Sequence, residues 1–203
     1  MSGADNAAAL RLVVGLGNPG AEYEQTRHNA GFWFCEQLAQ HYRVQFTAEK
    51  RFHALLANVP AAGLAILLPQ TFMNRSGQAV GAYLRFFRIP PQQMLVVHDE
   101  LDILPGQLRL KFGGGLGGHN GLKDIAAHCA TQDFWRLRIG IGHPGDRNRV
   151  VDYVLKSPGS GEHAVIEEAL QRAHHAWPLI AKAQWNAAAT QINARDKSAT
   201  TKD

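Results

Sequence analysis

Apolar residues fall in two kinds of run along this chain. Short runs rich in Leu, Val and Ile predict strands at 10–16, 52–58, 63–69, 93–98, 107–112 and 136–142. Stretches with apolar residues three and four apart predict helices at 29–43, 76–88, 119–130 and 161–185; the first presents Phe32, Cys35, Leu38, Ala39 and Tyr42 on one face. The run 10–16 alternates little and ends in glycines, as a buried central strand does. Pro60-Ala61-Ala62-Gly63 is a connection of hairpin length, so part of the sheet is expected to be antiparallel. The predicted fold class is α/β: a single domain with a mixed central β-sheet flanked by helices on both faces. Residues 1–9 read as a short N-terminal extension and 187–203 as a polar, flexible tail.

Composition narrows the partners only a little. A chain of 203 residues, 45% hydrophobic and 19% charged, can bury a core without disulfide or metal staples. A formal charge of +4 admits a polyanionic partner, but enzymes of small anions carry the same balance. Cys35 and Cys129 lie in helical patterns without metal-ligand spacing and read as buried thiols of a reducing compartment. No apolar run reaches the length of a membrane span, and Met1 to Ala9 lacks the basic-then-apolar order of a secretory signal. The expected protein is cytoplasmic, has no membrane partner and, lacking a heptad seam, is monomeric.

Candidate chemistry sits where predicted strands end. Asn18 and His28 follow the first strand, Phe72-Met73-Asn74 the third, and His98-Asp99-Glu100 close the fourth. The glycine loop Gly113 to Gly118, with His119 and Asn120, follows the fifth. If these strands run parallel, one rim collects His28, Asp99, Asn18, Asn74 and Asn120. Gly15, Gly17 and Gly20 satisfy a dinucleotide-binding spacing, but a turn follows them and the next helical pattern starts about eight residues on, so the amides of a helix N-terminus do not meet a phosphate there. Ser160 has Pro158 where a nucleophile elbow needs glycine, and the adjacent His98, Asp99 and Glu100 cannot all face one ion on a strand. A metal is thereby disfavoured, though not removed. The economical scheme is a water activated by a histidine that a carboxylate orients, with amide side chains holding the substrate and the developing oxyanion, which suits an activated acyl ester. His28 precedes a helix N-terminus, which disfavours the imidazolium, whereas Asp99 would favour it.

The segments Gly15-Leu16-Gly17-Asn18-Pro19-Gly20-Ala21-Glu22-Tyr23, Thr26-Arg27-His28-Asn29-Ala30-Gly31, Thr71-Phe72-Met73-Asn74, His98-Asp99-Glu100-Leu101-Asp102, Gly117-Gly118-His119-Asn120-Gly121-Leu122 and Arg136 to Pro144 occur in this order. In them the chain resembles the bacterial peptidyl-tRNA hydrolase family, over roughly residues 10 to 185 and with no departure at the motif positions. The resemblance implies hydrolysis of the ester between peptide and tRNA, which recycles tRNA from prematurely released chains, with peptidyl-tRNA as partner and neither cofactor nor metal. It implies His28 as the base that activates water, Asp99 as the residue that orients it, and Asn18 as a reader of N-blocked substrates. Tyr23, Phe72, Met73, Asn74 and Asn120 would line the substrate site. Lys111, Lys123 and Arg138 are the expected phosphate contacts, and the glycine loop reads either as a plain turn or as a flap. Two readings compete: a non-catalytic RNA-associated protein keeping the same fold, and a hydrolase of other acyl esters or an N-terminal peptidase-like enzyme on a similar α/β scaffold.

Overall fold

The computed structural model describes residues 9–193. Its strands are β1 (Leu12–Gly15), β2 (Thr47–Glu49), β3 (Ala54–Val59), β4 (Leu64–Pro69), β5 (Met94–Glu100), β6 (Leu108–Phe112) and β7 (Trp135–Gly140). They form one sheet in the order β2-β3-β4-β1-β5-β7-β6, with β1 in the middle and all four of its residues buried. β1 runs parallel to β4 and β5, and β5 parallel to β7. The β2–β3, β3–β4 and β6–β7 pairs are antiparallel, so the expected hairpin between β3 and β4 is present. The helices are α1 (Ala30–His41), α2 (Ser76–Phe87), α3 (Asn120–Cys129), α4 (Val150–Val154), α5 (Ser160–Ala181) and α6 (Trp185–Asn193). Val13, Leu95 and Leu137 pack toward α1, α5 and α6 on one face of the sheet, while Leu12, Val14 and Val96 pack toward α2 and α3 on the other. The mixed sheet with helices on both faces is the architecture that the sequence predicts.

Three features depart from the sequence reading. β2 was not expected, because its residues Thr47, Ala48 and Glu49 are largely exposed and carry no apolar signal. Helix α4 was likewise missed; five residues are too few to display a periodicity. The third departure corrects the tail. The predicted helix 161–185 breaks around Ala183, which adopts φ +54°, and a new helix follows where residues 187–203 had been read as flexible. Trp185, Ala188 and Ile192 bury one stripe of α6, and Trp185 stacks on Trp135 of β7 with ring centroids 4.1 Å apart. Asn193 Oδ1 accepts a hydrogen bond from the backbone N–H of Leu110 on the edge strand β6. Residues 194–203 of that tail, and 1–8 of the predicted extension, lie outside the described residues.

Because β1, β4, β5 and β7 are parallel, their carboxyl ends share a rim, as anticipated. The glycine loop is different: it leaves β6, which is antiparallel, at the opposite end of the sheet and must travel back to reach that rim. Buried Arg136 on β7 holds the start of this path, its guanidinium donating to the carbonyl oxygens of Gly113, Gly114 and Gly115. The glycine-rich turn after β1 serves close packing. A Cβ on Gly15 would lie 2.5 Å from the Gly31 carbonyl oxygen, and one on Gly31 would lie 2.3 Å from that of Val97. Helix α1 therefore presses directly against the sheet, which brings the turn ahead of it over the end of β5.

Candidate active site

That turn carries His28. It spans Arg27–Asn29, directly before α1, and sets the imidazole beside Asp99 at the end of β5. His28 Nδ1 lies 3.0 Å from both carboxylate oxygens of Asp99, so Nδ1–H donates and the Nε2 lone pair remains for the cavity that His28 lines. His119 Nε2 is 3.0 Å from Asp99 Oδ1, while its Nδ1 accepts from the N–H of Leu122 at 3.4 Å. Both contacts are satisfied by one neutral tautomer of His119. Behind it His98 is fully buried; its Nδ1–H donates to the Asp99 carbonyl oxygen at 2.7 Å, and its ring meets that of His119 edge-on.

The charges follow from these neighbours. Burial favours a neutral His28, but the field of Asp99 and its hydrogen bond outweigh burial and raise the imidazole above its ordinary pKa. Burial alone would push Asp99 up, yet its electrostatic interactions and hydrogen bonds with His28 and His119 hold it well below the usual carboxylate range. Desolvation, reinforced by His119, keeps His98 well below the ordinary histidine value, and therefore neutral. His28, Asp99 and His119 also form a group with donor atoms within 4.8 Å of one another, close enough in principle for a metal ion. Their contacts are hydrogen-bond lengths, and each histidine nitrogen facing Asp99 uses its proton in them. A metal ligand there would first have to lose that proton.

The cavity in front of His28 has a volume of about 660 Å³, within the range of small-ligand sites. Asn18, Tyr23, Phe72, Met73, Asn74, Asp99, Asn120 and Lys123 line it together with His28. Asn18 is fixed on three sides: its N–H donates to Asn29 Oδ1 (2.9 Å), its carbonyl accepts from Asn29 Nδ2 (3.0 Å), and its Oδ1 accepts from the Met73 N–H (2.7 Å). The Asn18 side-chain NH₂ is left as a donor at the cavity. Met73 itself is buried in the core beneath α2, so it offers the cavity little side-chain surface. Tyr23 and Phe72 meet edge-to-face at 6.4 Å; Phe72, 58% exposed, forms a projecting lip. Val150, Val151, Val154 and Leu155, on and just after α4, make an apolar wall.

Of the three expected phosphate contacts, only Lys123 lines the cavity. Lys111 is exposed on β6 with its Nζ beside Gly114, and Arg138 Nε donates to Glu100 Oε2 at 2.9 Å. Sequence reasoning passed over His119, Asn29 and the α4 wall. His119 and Asn29 each adjoin a chosen residue in a quoted motif, but their partners are 20 and 11 residues away and only the fold reveals them. Among the described residues no helix is long and apolar enough to cross a membrane.

A mixed α/β sheet that mounts a carboxylate-oriented histidine at the rim of a cavity has the arrangement that hydrolysis through a general base requires. The chain belongs to the peptidyl-tRNA hydrolase family, whose profile matches residues 12–201. It is 69% identical over 190 residues to the peptidyl-tRNA hydrolase of Aromatoleum aromaticum, covering 94% of this chain and 97% of that one. Identity to the Thiobacillus denitrificans peptidyl-tRNA hydrolase is 62% over 195 residues, with 96% of each chain covered. The crystal structure of peptidyl-tRNA hydrolase from Acinetobacter baumannii superposes with a TM-score of 0.87 at 49% identity, covering 91% of this chain and 95% of that one.

Proposed function

We propose that the chain hydrolyses the ester joining a peptide to tRNA, with His28 as the base, and so returns tRNA from prematurely released chains in the cytoplasm. The observation that carries the assignment is the 3.0 Å contact of His28 Nδ1 with buried Asp99, which leaves Nε2 as an oriented acceptor at the cavity. A water between Nε2 and the ester carbonyl gives its proton to the imidazole as its oxygen bonds to the carbonyl carbon. The oxyanion of the tetrahedral intermediate is met by amide donors; Asn74 and Asn120 supply NH₂ groups at the cavity. Collapse breaks the bond to the ribose oxygen, and the imidazolium returns the proton to that oxygen. Asp99 stabilises the transient charge throughout.

Such amide contacts grip peptide backbone and ribose without reading side chains, which suits a substrate whose peptide varies. Asn18, whose Oδ1 is held by the Met73 N–H, would donate through its NH₂ to the carbonyl of an N-blocking group, and a free ammonium offers it no acceptor. The test is release of N-blocked peptide from peptidyl-tRNA by the purified protein, with unblocked aminoacyl-tRNA as control and chelator present. Cleavage of the blocked substrate alone is expected. Binding of tRNA without cleavage would transfer the protein to the RNA-associated reading. Lys123→Ala, at the cavity edge, is expected to raise KM and reduce the salt slope of tRNA binding by about one unit. Lys111→Ala and Arg138→Ala test the outer contacts by the same slope; Arg138, already paired with Glu100, should give the smaller change.

A further inference from the structure

The apolar wall of the cavity is supported from an unexpected side. Helix α4 has five residues and no stability of its own in water, so whatever ties it down also sets where the wall stands. The tie is Arg27, the residue before His28, only 7% exposed. Its Nε and Nη2 grip both oxygens of Glu162, in the first turn of α5, at 2.6 Å each. Its Nη1 donates to the carbonyl oxygens of Tyr153 (3.1 Å), Lys156 (3.0 Å) and Ser157 (3.2 Å), which end α4 and the turn after it. The guanidinium lies 4.1 Å from the centroid of the Tyr153 ring, and the Tyr153 hydroxyl donates to the Ile141 carbonyl at 2.6 Å. The Arg27 backbone N–H joins in, donating to Lys156 at 3.2 Å. No lysine could reproduce a planar fork that binds a carboxylate and carbonyls while stacking on an aromatic ring.

We propose that Arg27 is a positioning residue: it locks the α4 wall to the turn bearing His28, so that the side chain of the ester-linked residue is gripped at a fixed distance from the base. This rests on His28 being the base and on the ester occupying the cavity. Wall and base would then move as one unit, and loosening the lock would cost most for substrates that press on Val150, Val151, Val154 and Leu155.

The experiment compares Arg27→Lys and Glu162→Gln with the unaltered protein, using two N-acetylated aminoacyl-tRNAs that carry esterified leucine or glycine. kcat, KM and Tm are measured for each. Arg27→Lys is expected to raise KM for the leucyl substrate about tenfold, the scale on which an apolar pocket senses one or two methylenes, with kcat within about threefold. KM for the glycyl substrate should change much less. Glu162→Gln, which keeps the volume and the bonds from Arg27 to the carbonyls, should act in the same direction by about threefold and decides the matter if Arg27→Lys fails to fold. A fall in Tm with an unchanged leucine-to-glycine ratio would reduce Arg27 to a structural residue and overturn the lock alone. An unaltered protein that cleaves neither substrate would instead overturn the reading of the site on which the lock depends.

Discussion

Replacing His28 by alanine is expected to lower kcat by about a thousandfold while changing tRNA affinity less than about twofold, because a positioned general base contributes about 10²–10⁴ and the phosphate contacts proposed above are lysine and arginine side chains, not His28. The reason is local. Among the described residues His28 is the histidine that both lines the cavity and has Nδ1 occupied by a buried carboxylate. His119 also faces Asp99, but its second nitrogen is engaged by the Leu122 N–H, and His98 is sealed in the core. Single-turnover cleavage and filter binding on the same preparation separate the two effects. Near-normal turnover in the variant would remove His28 from the chemistry.

Asp99→Asn is the second large effect, with an expected loss of about a hundredfold in kcat and an altered pH profile. Oδ1 of the carboxylate faces both His28 and His119 and Oδ2 faces His28 alone, so an asparagine must turn its NH₂ toward the N–H of His28 or, if flipped, toward those of both histidines. The sign of the pH effect follows from the raised pKa of His28. A base works unprotonated, so kcat/KM of the unaltered protein should fall as pH drops through a value raised above that of an ordinary histidine. Without the Asp99 charge, burial acts unopposed and His28 should lose its proton more readily, moving that acid limb to lower pH on a much lower plateau. An acid limb in the same place would mean that Asp99 does not set the charge of His28.

The fold was legible wherever burial leaves a periodic or continuous apolar trace. The run 10–16 reads as a central strand because β1, which lies within it, is enclosed on both faces and flanked on both edges. The polarity of β6 left no such trace, since antiparallel and parallel strands of that length look alike in sequence. The glycine loop reaches the cavity, but by a longer path than a parallel β6 would give it. Helix α6 was misread because Trp185, Ala188 and Ile192 are separated by Asn, Thr and Gln, and the stripe shows only against the Trp135 ring that covers it. Within the site, the residues at strand ends were found from polarity against an apolar background. Arg27, His119 and Asn29 were not singled out, because their roles lie in contacts with Glu162, Asp99 and Asn18 that no local pattern encodes.

The short helix α6 has a bearing on solubility. β6 is the outer strand at its side of the sheet, and an uncovered outer strand offers its backbone to any passing chain as a template. Asn193 fills one of those backbone positions at Leu110, while α6 packs along the strand. A chain cut short after α5 would keep every residue that lines the cavity yet present β6 bare, so the segment that contributes nothing to the cavity serves as its guard against edge-to-edge aggregation.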